Sequence, residues 1–182
     1  MKVFSINLLS GIKGSCRAVL FVAGLVLALT FAGADPVHAE FQTISMDNDL
    51  ATEIEDAAAD GKRLIVMFHE EGCPWCNKMR DRIFPHPKIV KYFSDKFIMI
   101  EQDIKGDLEL TTPEGEAITQ KIFARKMRVR GTPTFVFFDT DGKVAARIAG
   151  YQDVATFIAS GRYVHEKIFK TGKSLARWQM EQ

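Results

Sequence analysis

The chain has 182 residues, 47% of them apolar and 26% charged, and its 24 Lys and Arg nearly balance 23 Asp and Glu at a net charge of +1. Such neutrality gives no electrostatic reason to expect nucleic acid or a bulk membrane surface as partner. No internal repeat or low-complexity segment divides the sequence.

Residues 1–39 read as a segment apart from the fold. Lys2, Lys13 and Arg17 make a basic start, and no acidic residue precedes Asp35. An uninterrupted apolar run covers 18–34, and Val37-His38-Ala39 then offers small residues at the two positions a signal peptidase reads. This is the pattern of a secretory signal peptide cleaved between Ala39 and Glu40. The competing reading is an uncleaved anchor, because the run is close to the minimum needed to span a bilayer. A lipoprotein does not fit, since Cys16 precedes the apolar run. Cleavage leaves 143 residues, enough for one domain with a core. It changes the charge count to 21 basic and 22 acidic and removes Cys16, so that Cys73 and Cys76 are the only cysteines left.

The spacing predicts a first helix over Leu50–Ala59, capped by Asp47, Asn48 or Asp49 and followed by Gly61. Leu64–Phe68 is an apolar run of strand length. Cys73-Pro74-Trp75-Cys76 comes next, where the strand should hand over to a helix with Met79 and Ile83 on one face. Pro85 and Pro87 interrupt that helix, and Ile89–Phe93 gives another short helical turn. Phe97–Asp103 is a second central strand. Lys105–Glu116 is expected as a polar connection, and Ile118, Ile122, Phe123 and Met127 mark a further helix. Thr132–Phe138 is a strand opened by Pro133, and a turn at Asp139–Gly142 returns the chain antiparallel over Lys143–Ile148. Val154, Phe157, Ile158, Gly161, Val164 or His165, and Ile168 trace a closing helix. The order β-α-β-α-β-β-α predicts an α/β fold, a central mixed sheet with helices on both faces. Residues 40–172 form this domain, and 173–182 are expected as a short tail that Trp178 could pack down.

Two thiols two residues apart at the first turn of a helix form a dithiol/disulfide couple. The first sulfur, expected to be exposed, faces unpaired backbone N–H groups and the positive end of the helix dipole. That setting favours thiolate, the form that attacks disulfides. Pro74 suits the first helical position, where a missing N–H costs nothing. A bridge between these cysteines closes too small a loop to stabilise the fold by constraining the unfolded chain.

In order, the C-x-x-C at a strand-to-helix junction, the Gly131-Thr132-Pro133-Thr134 segment and the terminal hairpin plus helix resemble the thioredoxin superfamily over about residues 45–170. More narrowly, His69–Met79 and the turn around Pro85–Phe93 resemble periplasmic thioredoxin-like proteins of the sulfur-oxidation (SoxW-like) type. The resemblance implies a thioredoxin fold and a periplasmic thiol–disulfide oxidoreductase without a cofactor. Cys73 would attack a partner disulfide and the more buried Cys76 would resolve the mixed disulfide. Pro133 would be cis beside the sulfurs, and Thr132 would offer backbone groups to an extended substrate segment. The implied partners are a periplasmic protein disulfide and a membrane thiol electron donor.

The chain departs from that family at one point. Where thioredoxins bury an aspartate before the motif and a lysine on the neighbouring strand, this sequence aligns Met67 and Met99. His69, Glu70 and Glu71 are then candidates for proton transfer to or from Cys76, against the plainer reading of a solvated loop. Trp75 between the cysteines is expected as a flat contact for a partner or as a cap on the motif. Lys78, Arg80 and Arg130 could add positive potential near the thiolate. A zinc site needs about four Cys or His ligands, and two cysteines with scattered His69, His86 and His165 do not supply them. Glutathione chemistry is disfavoured, since Gly150-Tyr151-Gln152 holds no matching binding segment. The alternatives left are an oxidase donating its disulfide and a non-catalytic binding module with a passive disulfide.

Overall fold

A computed structural model describes residues 41–45 and 47–182. The predicted signal peptide, its cleavage point and Cys16 lie outside the described residues. No helix among the described residues is long and apolar enough to cross a membrane.

Helix α1 (Leu50–Ala59) leads to strand β1 (Arg63–His69). The motif opens α2 (Pro74–Lys78), which runs on as a π-helical turn over Met79–Ile83, followed by α3 (Pro87–Phe93) and β2 (Phe97–Asp103). Two short strands, β3 (Glu109–Thr111) and β4 (Ala117–Thr119), precede α4 (Gln120–Lys126). Strands β5 (Thr134–Phe138) and β6 (Val144–Ala149) form the hairpin, and α5 (Val154–His165) follows. A 3₁₀ turn over Ile168–Thr171 and helix α6 (Leu175–Met180) complete the chain.

The main sheet has the order β2-β1-β5-β6, with β1 parallel to β2 and antiparallel to β5, and β5 antiparallel to β6. It is the mixed sheet of a thioredoxin fold. β1 is central, and its residues from Arg63 to Phe68 are all buried, as expected of a strand covered on both faces. Alternation sends Ile65, Met67, Phe135 and Phe137 to one core with Met79, Ile83, Phe93 and Phe157. Leu64, Val66, Phe68, Val136 and Phe138 face the other, with Leu50, Ile54 and Phe123. The first core is rich in phenylalanine, and the rings of Phe93 and Phe157 stack at 4.7 Å. The outer edge of β2 is covered by Phe41–Thr43, with Gln42 bridging parallel to Met99 and Phe41 fully buried.

Three expectations are corrected. The motif helix is not regular: the Phe84 N–H donates to Met79 O, five residues back, at 2.9 Å. The extra residue in this turn lets Met79, Ile83 and Phe84 all reach the core before Pro85 ends the helix. The polar connection contains a hairpin, in which Leu110 pairs with Ile118, so Ile118 belongs to β4 and the helix starts at Gln120. The closing helix stops at His165, because Lys167 adopts left-handed φ (58°) and turns Ile168 into the 3₁₀ segment. The short tail over 173–182 is packed down by Trp178 as expected, but as a helix, α6. Ser174 caps α6, Trp178 Nε1 donates to Ala159 O at 3.1 Å, and Gln179 Nε2 donates to Ser160 Oγ at 2.9 Å.

Candidate active site

The cysteine pair sits at the C-terminal end of β1. Gly72 takes φ +74°, a left-handed turn that a side chain would resist, and delivers Cys73 to the N-cap of α2. Pro74 holds the first helical position. Cys73 and Cys76 are disulfide-bonded, with Cα atoms 5.3 Å apart. The Cys76 N–H donates to Cys73 Sγ at 3.1 Å, so the amide that would stabilise a thiolate on Cys73 is already in place. Cys73 retains 7% of its surface and Cys76 none. Cys73 is thus less exposed than the sequence suggested, because the bond folds its sulfur against the helix and the core. The asymmetry between the two sulfurs nevertheless leaves only Cys73 open to an incoming group.

Pro133 is buried, and the Thr132–Pro133 peptide is cis. The Gly150 N–H donates to Pro133 O at 2.7 Å, tying the β6–α5 loop to this segment. Thr132 Oγ1 donates to Glu70 Oε1 at 3.1 Å, and Lys105 Nζ lies 2.5 Å from Glu70 Oε2. Hydrogen bonds from Lys105 first, then Thr132, hold the Glu70 carboxyl below its ordinary range. Glu71 is exposed.

Met67 and Met99 are both buried in the core that holds the two cysteines. The residue of β2 in register with Met67 is Glu101. Its carboxylate accepts from Arg80 Nε at 2.9 Å and from Nη2, while Arg80 Nη1 donates to Asn77 Oδ1 at 3.0 Å and His69 Nε2 lies 3.7 Å away. The bond to Glu101 raises the Arg80 pKa, and the guanidinium charge expected to sit free near the motif is in fact neutralised. His69 faces this ion pair.

Trp75 is 53% exposed. Its ring centroid lies 5.7 Å from that of Tyr151, and Lys78 Nζ sits over both rings, 5.1 and 4.4 Å from their centroids. Arg130 is exposed on the strand-opening loop. Among the described residues, no three His, Cys, Asp or Glu side chains come together as a metal site. His86 caps α3, and His165 lies against Phe97.

The sequence reading missed Glu101, Lys105 and Tyr151. Glu101 was legible as the first acid after the apolar stretch Phe97–Ile100 of β2. Lys105 and Tyr151 carried no signal, because loop geometry alone brings them to the motif.

A thioredoxin-like domain model matches residues 50–165. The thiol:disulfide interchange protein DsbD of Salmonella typhi is 25% identical over 134 residues, 72% of this chain and 21% of that protein. DsbD of Pseudoalteromonas atlantica is 24% identical over 129 residues, 70% of this chain and 20% of that protein. The chain thus spans about a fifth of the length of the curated relatives it matches. Among solved structures, a thioredoxin from Thermus thermophilus is 28% identical with a TM-score of 0.52, covering 71% of this chain and 95% of that one. A thioredoxin-fold protein from Helicobacter pylori has a TM-score of 0.54 at 19% identity, covering 67% and 80%, and speaks to the fold. With the domain match running from α1 to the end of α5, through the disulfide and Pro133, the chain belongs to the thioredoxin-like family.

Proposed function

We propose that the chain is an exported, periplasmic thiol–disulfide oxidoreductase that reduces disulfides or persulfides on partner proteins. The observation that carries the reading is the asymmetric Cys73–Cys76 disulfide, in which Cys73 keeps 7% of its surface and its sulfur accepts from an amide, while Cys76 keeps none. In the reduced form the Cys73 thiolate attacks a partner disulfide, forming a mixed disulfide and expelling one partner thiolate. Cys76, as thiolate, then attacks Cys73 Sγ and expels the second. Two electrons pass to the partner, and the chain ends in the disulfide state seen here. A membrane thiol donor returns the electrons by the reverse exchange. The DsbD relatives are thiol:disulfide interchange proteins, which supports this class of reaction.

Trp75, Thr132 and Pro133 form the surface along which an extended partner segment binds. With Met67 and Met99 apolar, a proton from Cys76 has no buried acid on β1 to receive it. It leaves through water or through His69, Glu70 and Glu71 at the end of β1. The sulfur-oxidation type of thioredoxin-like protein is the narrower assignment, resting on the His69–Met79 motif.

The test is reduction of insulin disulfides by the mature protein. Cys73→Ser should abolish it, and Cys76→Ser should accumulate mixed disulfides with partners. If the protein is inactive and its disulfide potential lies below about −300 mV, the bond is a passive one. A potential near about −120 mV would assign the opposite direction, donation of the disulfide.

A further inference from the structure

The loop that carries Tyr151 is fixed from both sides. Gly150 donates its N–H to Pro133 O at 2.7 Å, and Gln152 donates its N–H to Met79 Sδ at 3.5 Å. The Tyr151 backbone is therefore tied both to the segment holding the cis proline and to the helix that carries the cysteines. Its ring meets Trp75 over the motif, and Lys78 lies across both rings. An ammonium on an aromatic face is attracted by the ring and shielded from water on that side. Two other cations at this end of the sheet, Arg80 and Lys105, are each taken by a carboxylate, Glu101 and Glu70, while Arg130 is exposed on the loop before Pro133 and lies on no described aromatic face. Among the described residues, Lys78 makes no such ion pair.

Resting on the oxidoreductase reading, we propose that Lys78, Trp75 and Tyr151 form a partner-reading platform that selects a disulfide flanked by an acidic residue. The partner's carboxylate pairs with Lys78 while its neighbouring backbone lies against the two rings. Three features favour this occupant over a neutral or basic segment. The cation is unmatched, the aromatic wall lowers the local dielectric and strengthens a charge pair formed against it, and the tethered loop needs little ordering on binding.

The experiment compares two peptides, each with one intramolecular disulfide, identical except for Glu or Lys two residues from the attacked cysteine. For the mature protein at low ionic strength, kcat/KM should favour the Glu peptide by about three- to five-fold, the range an exposed charge pair supports. The preference should shrink as salt is raised. Lys78→Gln should bring the ratio close to one, Lys78→Arg should retain it, and Tyr151→Ala should reduce it. Equal reduction of both peptides by the mature protein, or a ratio unchanged in Lys78→Gln, overturns the platform and leaves the oxidoreductase reading standing. Reduction of neither peptide overturns both.

Discussion

A single carboxylate joins three loops beside the disulfide. Glu70 leaves the end of β1, accepts from the hydroxyl of Thr132 ahead of Pro133, and pairs with Lys105 beyond β2. Its two oxygens are thereby occupied, which suits a positioning role better than proton traffic. A substrate segment that pairs with the Thr132 backbone depends on that loop being held still. Glu70→Ala should therefore raise KM for a protein disulfide about two- to five-fold with kcat little changed, the signature of lost positioning rather than lost chemistry. Glu70→Gln, which keeps an acceptor for Thr132 but loses the charge facing Lys105, should fall between the two. A fall in kcat with a shifted pH profile would instead make Glu70 the proton acceptor for Cys76. The cysteines were legible at the strand-to-helix junction itself, whereas Pro133 and the two methionines were placed through the resemblance to thioredoxins. The Glu70–Thr132 bond was not legible, since it spans 62 positions between loops whose approach only the folded sheet sets.

At the scale of elements, the fit between α3 and α5 is close enough to be tested with one methyl group. A Cβ at Gly161 would come 2.8 Å from Phe93 Cζ and 3.0 Å from Tyr92 Cε1. In an exposed helix the exchange to alanine would stabilise by roughly 0.5–1 kcal/mol. Here the Phe93 ring is fully buried and stacked on Phe157, so overpacking of about 1–3 kcal/mol outweighs the helical gain. Gly161→Ala should lower unfolding stability in urea by about 1 kcal/mol, whereas any stabilisation would show that the two helices slide apart at little cost. The strands were legible for the same reason this contact is tight: β1, β2 and β5 are nearly continuous apolar runs. The elements misread were those whose geometry depends on a single residue or on a distant partner. The π turn inserts one residue so that Met79, Ile83 and Phe84 all reach the core, β3 and β4 are three residues each, and α6 is held by the Trp178 and Gln179 contacts to α5.

Over the whole molecule, the end of the sheet opposite the disulfide is closed by a buried charge network. Asp139, after β5, accepts from Arg63 Nε of β1 at 3.0 Å and pairs with Lys170 of the 3₁₀ turn at 2.6 Å. Burial of Asp139 acts to raise its pKa, but the hydrogen bonds from Lys170 and Arg63 outweigh it and hold the carboxyl at about 2, below its ordinary 3.8. A depressed acid contributes stability that is complete above the unfolded pKa and is lost as pH falls through the folded one. The window here is pH 4 down to 2, and the contribution is about 2 kcal/mol. Hydrogen bonds from Lys143 and Thr156 also hold the carboxyls of Asp141 and Asp153 below their ordinary value, so the wild-type curve alone does not isolate the effect. The comparison with Asp139→Asn does. At pH 7 the variant should be less stable by about 3–5 kcal/mol, because Arg63 is left buried without its partner. Between pH 5 and 2 it should lose about 2 kcal/mol less than the wild type as the acid is removed from the titration. If urea melts of the two proteins run parallel over that range, Asp139 titrates normally and the network is held by packing alone.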